Sequence, residues 1–146
     1  MKTVIAIWHS ANKGKTETLR NLANLLIATY PTYRLVFQNP SPLPARGDFR
    51  LVVQIKGKII GIESQGDPGT NLENRLMDLA NNSKCDIIFC TTRTKGETVD
   101  AVHYLASKKG FQTIWTSTYQ IDANQKLVNQ IKAEHLLNLI RQLKLI

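Results

Sequence analysis

Residues 3–16 read Thr-Val-Ile-Ala-Ile-Trp-His-Ser-Ala-Asn-Lys-Gly-Lys-Thr and stand directly before a segment with helical periodicity. The part from Thr3 to Trp8 is mostly apolar, which is typical of a buried β-strand. Small and polar residues follow it, and Gly14 marks a turn into the next element. From Lys15 to Thr29, leucine and isoleucine recur at helical spacing, and Pro31 ends the helix. The stretch therefore predicts a strand, a short polar loop and an amphipathic helix.

The same alternation of strands and helices continues along the chain. Further strands are predicted at 33–38, 49–55, 58–63, 85–91 and 111–118, and further helices at 71–82, 98–109 and 124–145. Lys56-Gly57 joins two apolar runs and predicts a β-hairpin. Alternating strands and helices favour a parallel sheet covered on both faces. We therefore expect an α/β fold whose sheet is mostly parallel and includes an antiparallel hairpin.

The length and the apolar pattern limit the class of protein. The 146 residues suffice for a single domain, 1–146, with a full core. No apolar run approaches the roughly 18 residues of a membrane span, so no membrane partner is expected. Cys85 and Cys90 are five residues apart on a predicted strand, which would place them on opposite faces and prevent their pairing. With no signal peptide visible, this predicts a cytoplasmic protein with buried thiols.

The charge is strongly positive. Nineteen Lys and Arg against eleven Asp and Glu give a net charge of +8. Such a chain attracts polyanions, namely nucleotides, nucleic acids and anionic surfaces. The basic residues are dispersed along the chain, with no run longer than Lys108-Lys109. This dispersion favours a phosphate-bearing small ligand over nucleic acid, which stays the less favoured partner.

The loop before the first helix is the strongest candidate for a binding site. Phosphates need donors that approach without side-chain bulk, and loop amides at a helix N-terminus supply them. Lys13 and Lys15 lie close to the positive end of the helix dipole, which is electrostatically unfavourable, and a bound anion would explain their presence. The candidate phosphate-binding residues are Ser10, Ala11, Asn12, Lys13, Gly14, Lys15, Thr16 and Glu17. The alternative is an ordinary basic helix start.

Two later loops add candidate catalytic residues. Glu63 ends the apolar run 58–62, and Asp67 follows it in a glycine-rich loop. Two carboxylates at this spacing suit metal coordination and general-base chemistry. Asp67 could instead form a turn before Pro68. Arg93 follows the next strand. Ligands of open α/β sheets bind beyond the carboxyl ends of the strands, so Arg93 could stabilise phosphate charge there. The alternative is that it lies in a solvated loop.

The strand, the loop Ser-Ala-Asn-Lys-Gly-Lys-Thr and the apolar strand ending at Glu63 together resemble the P-loop NTPase superfamily. The resemblance implies a three-layer fold that binds a nucleoside triphosphate with Mg²⁺. It places Lys15 on the phosphates, Thr16 and Glu63 on the metal, and Glu63 or Asp67 in the acidic catalytic role. His9 stands where the motif has its first glycine. The chain has no Asn-Lys-x-Asp guanine motif, so ATP is the expected nucleotide.

These features predict a small ATP- and Mg²⁺-binding protein that hydrolyses ATP or transfers its terminal phosphate. Two alternatives stay open at this point: a kinase acting on a small molecule or nucleotide, and a non-catalytic module that binds a nucleotide or nucleic acid. The C-terminal helix carries apolar residues on more than one face, including Leu139, Leu143 and Ile146. The surplus could support a homodimer.

Overall fold

The apolar segment before the Gly-Lys-Thr loop forms an inner strand of a six-stranded sheet. A computed structural model describes every residue from Met1 to Ile146. The strands are β1 (Thr3–Trp8), β2 (Arg34–Asn39), β3 (Arg50–Ile55), β4 (Lys58–Glu63), β5 (Ile87–Thr92) and β6 (Gln112–Ser117). The helices are α1 (Lys15–Thr29), α2 (Leu72–Asn81), α3 (Glu97–Lys109) and α4 (Gln125–Gln142).

The sheet is mixed, in the order β2-β3-β4-β5-β1-β6. Strands β4, β5, β1 and β6 are parallel neighbours, whereas β3 runs antiparallel to both β4 and β2. The carboxyl ends of all strands except β3 therefore lie at one edge of the sheet, and β3 starts there. This edge brings together the loops that the sequence analysis singled out.

Helices cover both faces of the sheet. One core cluster of 18 buried residues joins the sheet to α1 and α4, and a second cluster of 14 joins it to α2 and α3. Alternate residues of β1 enter different clusters, with Ile5 and Ile7 in the first and Val4 and Ala6 in the second. This double burial explains why β1 is continuously apolar rather than alternating.

The predicted elements all exist, and most of their ends differ from the prediction by one or two residues. The α/β class, the hairpin β3–β4 and the coverage of both faces are confirmed. The orientation of β2 was not predicted; it pairs antiparallel with β3 and so adds a second antiparallel pair.

The two cysteines are free and buried, as expected, but their predicted placement on opposite faces is wrong. Both lie in the cluster on the α2 and α3 side. The reason is that β5 begins only at Ile87, so Cys85 belongs to the turn before the strand and does not follow its alternation.

Most of the apolar residues near the C-terminus pack within the chain. Leu136, Leu137 and Ile140 belong to the core, and Ile146 packs against it, while Leu143 is exposed. Little apolar area is therefore exposed at this end of the chain, and the homodimer stays a prediction. No helix combines the length and the hydropathy needed to cross a bilayer.

The packing of α1 on the sheet predicts that alanine substitutions of two leucines will lower the free energy of unfolding by very different amounts. Leu22 is fully buried and Leu127, in α4, is 57% exposed. Leu22→Ala should lower the free energy of unfolding by about 2–5 kcal/mol because it leaves a cavity. Leu127→Ala, the matched control, should change it by less than about 0.5 kcal/mol. Urea denaturation measures both, and equal effects would contradict the assignment of this face of α1 to the core.

Candidate functional site

The largest concentration of predicted site residues lines one cleft at the carboxyl edge of the sheet. Its volume is about 390 Å³. We call it the first cleft. Its walls are the loop before α1, the loop between β2 and β3, and the ends of β4 and β5. The lining residues are 11–17, Arg20, 45–48, Ser64, Asp67 and Thr91. Of the predicted phosphate-binding residues, only Ser10 is not part of this lining.

The loop before α1 presents a row of free backbone donors. The amides from Ala11 to Glu17 make no hydrogen bond within the protein; the next one, of Thr18, donates to the Gly14 carbonyl. The backbone φ is positive at Asn12 and Gly14 but not at Lys13. Such alternation turns successive amides toward a common point and forms an anion-binding concavity. The N-terminus of α1 adds the positive end of its dipole.

Lys15 is a buried cation of the first cleft. Its Nζ donates to the carbonyl oxygens of His9 at 2.7 Å and Thr92 at 2.8 Å. Burial and the neighbouring Arg93 lower the pKa of Lys15 to about 8, while Asp67 acts in the opposite direction. No carboxylate contacts the ammonium, so its charge is available to an anion in the cleft.

Asp48 provides a carboxylate in contact with Thr16. Its Oδ1 accepts hydrogen bonds from the Thr16 hydroxyl at 3.2 Å and from the Ser64 hydroxyl at 2.9 Å. Carboxylate and hydroxyl oxygens are the ligands that Mg²⁺ prefers, together with water and phosphate. No group of three or more His, Cys, Asp or Glu side chains is arranged to hold a metal ion. Two oxygen ligands, of Thr16 and Asp48, therefore lie together here, fewer than a closed metal site needs.

Sequence reasoning missed Asp48, although a signal was present. Asp48 precedes the first strand of the predicted hairpin, and Glu63 ends the second. Since the two strands are antiparallel, residues just before the first and just after the second must lie at the same edge. Ser64 confirms this proximity, because its amide donates to the Phe49 carbonyl and its hydroxyl accepts from the Phe49 amide.

Glu63 lies outside the first cleft and is held in an ion-pair network. Its Oε1 accepts from Arg50 Nε at 2.7 Å, and its Oε2 lies 3.6 Å from Arg75 NH1. Arg50 is also paired with Asp78. Burial raises the pKa of Glu63, an effect that the two arginines oppose. The structure thus brings Glu63 together with arginines, and not with Thr16, its predicted partner in metal binding.

Asp67 and Arg93 form a pair beside Lys15. Arg93 NH2 lies 3.1 Å from Asp67 Oδ1, and both side chains are partly exposed. Asp67 lines the first cleft. The loop that carries it passes so close to β5 that a Cβ atom on Gly66 would lie 1.9 Å from the Thr91 carbonyl oxygen. Only glycine fits at this position, which fixes where Asp67 enters the cleft.

Two further contacts hold the walls of the first cleft in place. Arg20 is buried on α1 and donates to Glu17 Oε2 at 2.5 Å and to the Gly47 carbonyl at 2.6 Å. It thereby fixes the loop that carries Asp48. On the other side, the Lys13 carbonyl accepts from Thr118 Oγ1 at 2.7 Å and Gln120 Nε2 at 2.6 Å. The only sequence signal for Arg20 is a charged residue on the apolar stripe of α1.

His9, which stands where the resemblance predicts a glycine, does not line the first cleft. Its Nδ1 accepts from the Ser10 amide at 2.8 Å, and its ring stacks beside Trp8. Burial and the charges of Lys13 and Lys15 lower the pKa of His9. The imidazole is therefore accommodated at the side of the loop, and the row of free amides begins after it.

Comparison of the chain with models of protein families, with curated proteins and with solved structures gives no match. The function has to be inferred from the residues of the cleft themselves.

The ion-pair network predicts a structural effect of Glu63. Glu63→Gln leaves the charges of Arg50 and Arg75 without this partner and should lower the free energy of unfolding by about 2–3 kcal/mol. Glu73→Gln is the control, because Glu73 is exposed in α2 and forms no ion pair. Chemical denaturation at pH 7 measures both. Equal stabilities of the two variants would show that the network does not stabilise the fold.

Proposed function

We propose that the first cleft binds a nucleoside triphosphate with Mg²⁺ and promotes transfer of its terminal phosphate. One observation carries this proposal: the free amides from Ala11 to Glu17 line a cleft that also contains the buried cation Lys15. Several converging donors and one cation without a carboxylate partner match a group with several closely spaced negative charges. An ordinary helix start would leave only the first few amides of the helix itself without partners.

The residues of the cleft support a division of roles. The amides of residues 11–15 and the Lys15 ammonium would hold the phosphates. The hydroxyl of Thr16 and the carboxylate of Asp48 would hold the metal, directly or through its water shell. Bound there, Mg²⁺ would neutralise phosphate charge. Asp48 thereby takes the role that the sequence predicted for Glu63. ATP is the expected nucleotide, since the guanine motif is absent.

Arg93 and Asp67 are the proposed catalytic pair. The guanidinium of Arg93 can stabilise charge that develops on the transferred phosphate. The carboxylate of Asp67 lies 3.1 Å from Arg93 NH2 and on the wall of the first cleft, where it can orient an acceptor. Both side chains are partly exposed, so they can shift toward a bound ligand without breaking the core.

The role of Lys15 predicts a strong loss of binding on substitution. Lys15→Ala should raise the Kd for Mg-ATP by about 10- to 100-fold, because a charge-assisted hydrogen bond to phosphate contributes roughly 1.5–3 kcal/mol. Lys109→Ala is the control; Lys109 is exposed at the far end of α3. Isothermal titration calorimetry gives both constants, and thermal unfolding shows that each variant is folded. Unchanged affinity in Lys15→Ala would contradict the proposal.

The proposed role of Asp48 predicts how the affinity for ATP depends on Mg²⁺. In the unmodified protein, Mg²⁺ should increase the affinity for ATP, and Asp48→Asn should remove most of this increase. Glu63→Gln should retain it, because Glu63 does not line the first cleft. Titrations with and without EDTA give the two affinities of each variant. If the increase in affinity with Mg²⁺ were lost in Glu63→Gln and kept in Asp48→Asn, Glu63 rather than Asp48 would hold the metal.

The pKa of Lys15 predicts how affinity depends on pH. The ammonium is half deprotonated at about pH 8 in the free protein, and only the charged form attracts phosphate. Bound phosphate raises this pKa, so binding above pH 8 requires uptake of a proton. Affinity for Mg-ATP should be nearly constant below pH 7 and fall by up to about tenfold between pH 8 and pH 9. In Lys15→Arg the guanidinium stays charged, and this decrease should disappear.

A further inference from the structure

A second cleft, of about 410 Å³, adjoins the first and shares one residue with it, Asp48. It lies where β2 and β4 end and β3 begins, and its polar lining includes Asn39 and Gln65. If water were the only acceptor of the phosphate, no organised cavity would be needed on this side of Asp48. The cavity is large enough for an organic molecule of moderate size.

The second cleft has no net charge. Two carboxylates, of Asp48 and Glu63, face two guanidinium groups, of Arg50 and Arg75. Both arginines are paired with Glu63, and Arg50 also with Asp78. The first cleft, by contrast, has free amides and a free cation. The second cleft therefore suits an uncharged molecule better than a polyanion.

The groups of the second cleft that lack partners are suited to a planar polar ring. The carboxamides of Asn39 and Gln65 form no hydrogen bond within the chain, and each offers both donors and an acceptor. The ring of Phe37 lines the same cavity and is 43% exposed although β2 is paired with β3. An aromatic face next to two carboxamides can stack on a heterocycle and hydrogen-bond to its edge.

Asp48 lines both clefts, and only one of its two carboxylate oxygens is hydrogen-bonded within the chain. Both hydrogen bonds that it accepts, from Thr16 and from Ser64, end on Oδ1, so Oδ2 has no partner. A hydroxyl group in the second cleft can donate to this oxygen. It would then lie next to the residues that hold the triphosphate, which is the position an attacking group requires.

We propose that the second cleft binds the phosphoryl acceptor and that this acceptor is a nucleoside. The inference rests on the proposed function of the first cleft. The nucleoside base lies against Phe37 and pairs with Asn39 and Gln65, and a sugar hydroxyl reaches Asp48. The hydroxyl oxygen forms a bond to the terminal phosphorus of ATP. The bond from that phosphorus to the bridging oxygen breaks, ADP leaves with the electron pair, and the hydroxyl proton is released to water.

The test offers Mg-ATP with each common ribonucleoside and deoxyribonucleoside and measures ADP release and the phosphorylated product by mass spectrometry. At least one nucleoside should raise ADP release by tenfold or more over the rate without acceptor and appear as its monophosphate. Asn39→Ala and Gln65→Ala should each raise the KM for that nucleoside about tenfold or more. Gln38→Ala removes a carboxamide from the adjacent residue, which does not line the cleft, and should leave this KM unchanged.

The outcomes separate this inference from the proposed function. If Mg-ATP binds but no nucleoside is phosphorylated, or only a sugar or a nucleoside monophosphate is, the nucleoside acceptor is overturned and the first cleft retains its role. If a nucleoside is phosphorylated but the Asn39 and Gln65 variants match Gln38→Ala in KM, the second cleft is not the acceptor site. If Mg-ATP does not bind, the proposed function fails and the transfer fails with it.

Discussion

The ammonium of Lys15 is the contact on which the arrangement of the cleft depends. It joins the carbonyl oxygens of His9 and Thr92, which follow or end the neighbouring parallel strands β1 and β5. A buried cation is unfavourable unless it is solvated by protein dipoles, and these two carbonyls supply them. The start of α1 is thereby fixed above the central strands. The loop between β1 and α1 must then close over a short distance, and its amides from Ala11 onward have no partner within the chain.

The antiparallel hairpin determines which carboxylates meet this loop. In a purely parallel sheet, the acid at the end of the strand, Glu63, would be the nearest candidate. Here β3 begins beside the end of β4 and places Arg50 directly opposite Glu63. The arginine neutralises that carboxylate and keeps it in the protein interior. Asp48, two residues before Arg50, extends to the Thr16 hydroxyl instead.

The two clefts differ in electrostatics because their cationic side chains have different partners. In the first cleft the cation lacks a carboxylate contact and the backbone adds unpaired donors. In the second, each arginine is paired with an acid, and the groups without partners are neutral carboxamides and an aromatic ring. Asp48 belongs to both. Under the proposed function, a charged donor and an uncharged acceptor would occupy adjacent sites that meet at Asp48.

The sequence by itself determined the α/β class, the order and approximate bounds of the elements and the loop at residues 11–17, because apolar periodicity and glycine act over short stretches of chain. It also placed Asp67 and Arg93 near the loop, since strand ends in such sheets share an edge. Only the tertiary structure decided that Glu63 pairs with Arg50 and that Asp48 reaches Thr16. Those contacts join residues 13 and 32 positions apart, and their existence depends on the orientation and register of strands. Hydrophobic periodicity tells which face of a strand is buried, but not which side chain lies opposite another across the sheet.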